Sequence, residues 1–372
     1  MKAKMSVVML ALLICGACVP SHPVEQVSSE TGGQRLQSVI SWKDCLSQKA
    51  SWYGTPEALR VAGNVLLYQR NCGGWPKNID MAAVLDDAGK AALLKQKNET
   101  DTTIDNDATC RQLQFLARVY AANPKPNLRD SFIHGLDYLL KAQYANGGWP
   151  QYYPNTASYH HYITFNDNAM VNVLNLFQDV ADAKEPYAFV DAGRKTRAQQ
   201  AVQKGIECIL NCQIVYKGQL LAWCAQHDEK TFEPRPARIY EKVSLSGSES
   251  VGIVRFLMRV DLPDPRVVRA IESAVQWFQQ AKLTGIRYQR VGDPNGPKGF
   301  DNKIVADPAA PPLWARFYEI GTNRPIFCSR DGIIRYNVAE ISIGRRTGYT
   351  WYASWPKELL EKDYPQWRKK LK

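Results

Sequence analysis

Apolar residues recur at three- and four-residue steps in successive parts of the chain. Leu113, Leu116, Ala117 and Tyr120 share one helical face, as do Val173, Leu174 and Phe177, and then Ile253, Phe256 and Leu257. Each face follows a polar cluster: Thr103-Ile104-Asp105-Asn106-Asp107-Ala108-Thr109, Thr164-Phe165-Asn166-Asp167-Asn168-Ala169-Met170, and Ser244-Leu245-Ser246-Gly247-Ser248-Glu249-Ser250. Asp, Asn and Ser in front of such a face read as helix N-caps, because their side-chain oxygens accept the free backbone N–H groups. Upstream of each cluster lies another apolar stretch that runs into a tryptophan. Residues 58–67 lead to Gly73-Gly74-Trp75-Pro76-Lys77, residues 134–140 to Gly147-Gly148-Trp149-Pro150-Gln151, and residues 204–210 to Leu220-Leu221-Ala222-Trp223-Cys224. Trp75, Trp149 and Trp223 are evenly spaced, 74 residues apart.

An even period of this length marks repeated supersecondary units that bury their apolar faces against their neighbours. Each unit reads as helix, Trp loop, polar cap, helix, with a fourth pair of helices around 267–281 and 311–318. The predicted fold is all-α: an (α/α) toroid, or partial α/α barrel, of repeated hairpins. Its only β pieces are short ones near 286–291 and 333–336, and the polar caps gather on one rim.

The N-terminus departs from this pattern. Lys2 and Lys4 precede an apolar run over 7–14 and then Cys15-Gly16-Ala17-Cys18. That layout is an export signal, too short for a membrane span. Gly16-Ala17-Cys18 also resembles the end of a lipoprotein signal, which places a lipid on Cys18. The division expected is therefore an export signal over 1–18, a linker over 19–40 and one catalytic domain over 41–372, in a cell-surface or periplasmic lipoprotein or a secreted protein. Cys208 and Cys212 stand one helical turn apart without a second zinc-like pair, so burial as small apolar residues is expected.

Composition narrows the chemistry. With 47 basic and 36 acidic residues the formal net charge is +11, and the chain carries 10 Trp, 18 Tyr and 11 Phe. A basic, aromatic-rich chain suits an anionic ligand, either nucleic acid or an acidic polysaccharide. The first two caps supply Asp105, Asn106, Asp107, Asn166, Asp167 and Asn168. Gathered on one rim, their carboxylate and amide oxygens form the donor set of a hard cation such as Ca²⁺, without the His or Cys of a zinc site. Arg235 and Arg238 lie on a Pro-rich loop before the third cap, and Arg324, Arg335, Arg345 and Arg346 follow. Arginine forks match carboxylates. Trp75 and Trp149 either present indole faces to a sugar ring or pack between helices. No Gly-x-Ser-x-Gly elbow and no phosphate-binding glycine pattern is present.

These segments, at 73–78, 103–111, 147–154, 164–169, 237–249, 314–331 and 336–352, resemble in order the family 10 polysaccharide lyases, the pectate lyases. The resemblance implies a toroid-like (α/α) fold and Ca²⁺-assisted β-elimination on polygalacturonate. It implies Asp105 and Asp167 as calcium-side acids, with Asp105 also in the catalytic centre and Asn106 beside them. Arg238 would be the catalytic base and Arg324 a ligand of substrate carboxylate, with Arg235, Lys77, Trp75 and Trp149 also on the substrate side. The partners implied are pectic oligosaccharides, with no nucleic acid, for a monomer whose membrane contact runs only through Cys18. One departure from the family pattern is Gly344, where an acidic residue often precedes the Arg pair. A glycoside hydrolase using Asp105 and Asp167 as acid and base, and a non-catalytic pectin-binding lipoprotein, are the alternatives.

Overall fold

The computed structural model describes residues 40–261, 263–294 and 296–371. The export signal, the Cys18 anchor and, but for Ile40, the linker lie outside the described residues. The described residues belong to one compact unit.

Its helices are α1 (Pro56–Tyr68), α2 (Asp87–Lys95), α3 (Cys110–Ala122), α4 (Pro126–Ala142), α5 (Ala169–Ala181), α6 (Ala192–Cys212), α7 (Glu249–Leu257), α8 (Pro265–Gln280) and α9 (Ile343–Gly348), followed by the short C-terminal helices Trp355–Glu358 and Tyr364–Lys370. Helix α1 packs on α3, α3 on α5 and α5 on α7, while α4 packs on α6 and α6 on α8. The helices thus stand in two rows, and the pairs α3/α4, α5/α6 and α7/α8 join the rows. The repeat read from the sequence is present in this arrangement.

Two side chains recur in each unit, a buried tryptophan tied to the first helix of its own unit and a glutamine that reaches the next. The indole N–H of Trp75 donates to the carbonyl of Val65, that of Trp149 to Leu139 and that of Trp223 to Ile209, at 2.7–2.8 Å. At the end of α1, α4 and α6 stands a glutamine, Gln69, Gln143 or Gln213. Each amide donates to a carbonyl of its own Trp loop (Gly73, Gly147 or Leu221) and to one in the outer helix of the following unit (Ser131, Ala201 or Ala270). These bonds give the indole and amide N–H groups partners; a buried donor left without one costs about 1–3 kcal/mol.

The Trp loop also demands glycine. Gly147 has φ +92°, and a Cβ there would sit 2.0 Å from the Lys204 carbonyl oxygen in α6. Gly147→Ala is therefore expected to lower unfolding stability by at least ~2 kcal/mol, from left-handed strain with a backbone clash added. Gly218→Ala, at φ +78° in open space, should cost less. Urea midpoints of the two variants at equal m-values check this.

The expectation of an all-α toroid fails. Thirteen strands in six small antiparallel sheets occur among the described residues. The longest pairing is the hairpin of Ile286–Gly292 with Phe300–Ala306, in register Ile286↔Ala306. The second helix expected in the fourth unit, at 311–318, is instead two strands: Trp314–Ala315, paired with Tyr352–Ala353, and Phe317–Tyr318, paired with Leu245–Ser246. The C-terminal third builds its own small core from Phe317, Ile326, Phe327, Val338, Ile341 and Trp351. It packs through strands and loops where a fourth hairpin was expected. Trp314 nevertheless keeps the repeated bond, its indole N–H donating to Phe278 in α8 at 2.8 Å.

The cysteines Cys45, Cys72, Cys110, Cys208, Cys212, Cys224 and Cys328 are free thiols. Cys208 and Cys212 are buried in the core of α6, as expected.

Candidate active site

The caps of α3 and α5 share an unusual backbone. Asn106 and Asp167 both lie in the left-handed region (φ 51°, ψ 44° and φ 50°, ψ 32°), and Asp107 and Asn168 also have positive φ. Short polar residues tolerate that conformation best. Neither cap makes the side-chain bond to backbone N–H that was expected of it. The side chains turn outward and across, toward one another and toward neighbouring elements.

Together they line a cleft of about 250 Å³, formed by Lys77, Asn78, Asp105, Asn106, Gln151, Tyr159, Asn166, Asp167, Gln226, Arg238 and Glu241. Asn166 joins the two acids. Its amide donates to Asp167 Oδ2 at 2.9 Å and reaches Asp105 Oδ1 at 3.5 Å. Matching the caps residue by residue places Asp105 opposite Asn166 and Asn106 opposite Asp167, so the two acids occupy different positions of the repeat. Asp105 is buried and Asp167 exposed.

Each acid already has a cation. Lys77 Nζ pairs with Asp105 and lies 5.4 Å from the Tyr152 ring centroid. Burial works against the Lys77 charge, but the Asp105 bond and field outweigh it and hold the ammonium above its ordinary value. Arg316 Nη2 donates to Asp167 Oδ1 at 2.8 Å and also pairs with the buried Glu249. Burial disfavours the Arg316 charge too, but Glu249, Tyr349 and Asp167 together outweigh it and hold the group above its ordinary value. Its Nε is enclosed without a partner.

Arg316 and Glu249 escaped the sequence reading. Arg316 reaches Asp167 at the edge of the cleft because Phe317 pairs with Ser246 and the Gly247 N–H donates to the Arg316 carbonyl at 2.9 Å. The third cap carries glycine where the others carry Asn106 and Asp167. A Cβ at Gly247 would fall 2.2 Å from the Ala315 carbonyl oxygen. That close approach admits the arginine strand in place of a third polar side chain. No local motif announces it; the one mark it leaves in the sequence is Gly247, where the repeat loses its polar side chain.

Arg238 faces the same cleft from the third unit. Its Nε donates to Glu241 Oε2 at 2.9 Å and its Nη2 to Oε1 at 2.5 Å, and the ring centroid of Tyr240 lies 4.9 Å away. The Glu241 bond holds the guanidinium above its ordinary value, against the opposing effect of burial. Tyr159, from the Tyr159-His160-His161-Tyr162 segment, closes one wall.

Other expected site residues lie elsewhere. Trp75 and Trp149 have no exposed surface, so neither indole can stack on a sugar; each anchors its loop to the first helix of its own unit. Arg324 is not among the residues lining the cleft, and its guanidinium sits 3.5 Å from the Tyr336 ring centroid. Arg235 turns to Asp228, with Nε–Oδ2 at 3.0 Å. Arg346 forks onto Asp301 with two 2.7 Å bonds, which ties α9 to the long hairpin.

Comparison with known proteins is decisive at this point. The family model described as pectic acid lyase matches residues 69–360. The chain belongs to the pectic acid lyase family. It is a lyase acting on polysaccharides, with pectate lyase activity. Among solved structures, the family 10 polysaccharide lyase from Cellvibrio cellulosa is 34% identical over 87% of this chain and 94% of its own, with a TM-score of 0.74. A mutant of the Cellvibrio cellulosa family 10 lyase in complex with trigalacturonic acid is 33% identical, over 87% and 95% of the two chains, at the same TM-score. No curated protein matches the chain. The matched span of the lyase family contains the whole cleft.

Proposed function

We propose that this pectate lyase cleaves polygalacturonate by β-elimination at the cleft between Asp105, Asp167 and Arg238, assisted by Ca²⁺. The observation that carries the reading is the Asn166 amide, which holds two carboxylates from successive units in the same cleft as Arg238. The relative bound to trigalacturonic acid supports a galacturonate chain as the ligand here.

The donor set suits calcium. Asp105, Asp167 and the Asn106 side-chain carbonyl are hard oxygen ligands, and neither His nor Cys lines the cleft. Among the described residues no cluster of three His, Cys, Asp or Glu side chains forms a metal site by itself, which leaves room for substrate carboxylate as a further ligand. Bound there, Ca²⁺ would draw charge from the substrate C6 carboxylate and so make the C5 proton more acidic. Lys77 and Arg316, now paired with the acids, would remain as fixed positive charge beside that carboxylate.

Arg238 in its neutral form then accepts the C5 proton. The C5–H electron pair becomes the C4=C5 double bond, and the C4–O bond breaks. The departing oxygen leaves with its half of the chain and takes a proton from water. Glu241 opposes the step by holding Arg238 charged, so turnover should rise with pH as the neutral fraction grows.

Incubation with polygalacturonate, with and without chelator, tests the reading through the ultraviolet absorbance of the unsaturated product. Absorbance should rise only with Ca²⁺ present. It should fall as carboxylates are methyl-esterified, since each ester removes a cation ligand and an arginine partner. Equal rates on pectate and on highly esterified pectin would overturn it. Export, a lipid at Cys18 and a monomeric state are proposed alongside; the basic start, the apolar run and Gly16-Ala17-Cys18 support the first two.

A further inference from the structure

Two arginines meet at Tyr240 in unequal condition. Arg238 has its donors engaged by Glu241. Arg345, on α9, has Nε and Nη2 enclosed and without any hydrogen-bond partner. Its guanidinium lies 3.7 Å from the Tyr240 ring centroid, 4.8 Å from that of Tyr349 and 5.7 Å from that of Trp351. Ring faces attract a cation, yet enclosed charged donors left unmade are costly. Buried groups in this state ask for a reason. The backbone of Arg345 is fixed, since its carbonyl accepts the Trp351 indole N–H at 2.9 Å.

The carboxylate nearest in chemistry is Glu241, itself buried. It accepts from Arg238 and, at 3.1 Å, from the hydroxyl of Tyr349, the same ring that underlies Arg345. One acid therefore stands beside two guanidinium groups and serves only one.

We propose that Glu241 exchanges partners during the reaction, leaving Arg238 for the unfilled donors of Arg345 and so freeing Arg238 to lose its proton. Arg345 is a positioning residue in this scheme and touches no substrate. The inference rests on Arg238 as the base. The groups facing Arg238 are Glu241, Tyr240, Tyr349, Tyr159 and Arg345; those facing Arg345 are Tyr240, Tyr349, Arg238, Glu241 and Cys328. Burial pushes Arg345 below its ordinary value; the field of Arg238 adds to this, while Tyr240, Tyr349 and Glu241 oppose it. A carboxylate arriving at Arg345 would relieve that penalty as it leaves Arg238 with cationic neighbours.

The test is the pH profile of kcat on polygalacturonate for wild type, Arg345→Gln, Glu241→Gln and the double variant, with folding checked by circular dichroism. Arg345→Gln should move the acid limb up by about one pH unit, a tenfold loss of turnover at fixed pH on that limb, with KM changed less than about threefold. Glu241→Gln should move the limb down. In the Glu241→Gln background, Arg345→Gln should add no shift, because the acid to be exchanged is gone. A shift that persists undiminished there would show a through-space charge effect and overturn the exchange. An unmoved limb in Arg345→Gln would overturn it as well, whatever the melting temperature. If that variant fails to fold, Arg345→Lys carries the same test: the charge stays, the fork is lost, and a smaller upward shift is expected. A wild type that turns over with unsaturated product keeps the lyase reading even where the exchange fails; a wild type without that product overturns both.

Discussion

Arg238→Lys should lower kcat on polygalacturonate by roughly 10²- to 10⁴-fold, the range of a lost general base. KM should stay within about threefold, since the interaction lost is one made mainly in the transition state. Lysine keeps the positive charge but not the planar fork that grips Glu241 through Nε and Nη2. Arg235→Lys is the internal control. Arg235 is three residues away but paired with Asp228 and absent from the cleft lining, so its effect should be below about threefold. Steady-state kinetics on both variants decide the matter. Full activity in Arg238→Lys would place the base elsewhere; a dead Arg235→Lys with an active Arg238→Lys would move it along the loop.

The second large effect is expected from Asp167→Ala. Activity at limiting Ca²⁺ should fall at least about a hundredfold and recover in part at high Ca²⁺, as for a site that has lost a charged ligand. Stability should hardly change. Asp167 makes no capping bond to α5, so even the ~1 kcal/mol usually lost with a cap is not at stake, and Arg316 keeps its pair with Glu249. Asp105→Ala should cost more stability, because Lys77 would lose the partner that holds its partly buried charge. Chelator titration of activity, run beside thermal denaturation, separates the metal effect from the folding effect. Undiminished Asp167→Ala activity in excess chelator would remove this aspartate from the metal site.

The helical repeat was legible because 3.6-residue periodicity and an even Trp spacing are properties of contiguous sequence. The acids were legible for the same reason: both sit in clusters that recur at matching places. What the tryptophans do was not. Gly-Gly-Trp-Pro is compatible with an indole facing out or in, and the inward choice depends on carbonyls such as Leu139 O, ten residues back on a helix not yet placed. The fourth unit misled because residues 311–318 are apolar enough for a helix, while their strand form is set by partners at 245–246 and 352–353. Arg316 enters the site by the same distant pairing, which leaves no trace in local spacing. The capping expectation failed for a conformational reason. Positive φ at Asn106 and Asp167 turns their side chains away from the helix ends.

The indole and glutamine staples have a consequence for how this scaffold can change. The glutamines carry part of the grip between units at residues away from the cleft, while the rim adds polar contacts of its own, Asn166 to Asp105 and Asn172 to Asp107. Substitutions at exposed rim positions such as Asp167 can therefore accumulate at little cost in stability, whereas Gly247, where a Cβ would lie 2.2 Å from the Ala315 carbonyl oxygen, cannot change freely. A duplicated unit keeps its architecture while its rim explores new chemistry. Asp105 at the first cap position in one copy and Asp167 at the second position in the next are two outcomes of that freedom. The same property makes the rim the place to begin redesign. A new ligand set or a new charge pattern can be written there while Trp75, Trp149, Trp223 and their glutamines are left untouched.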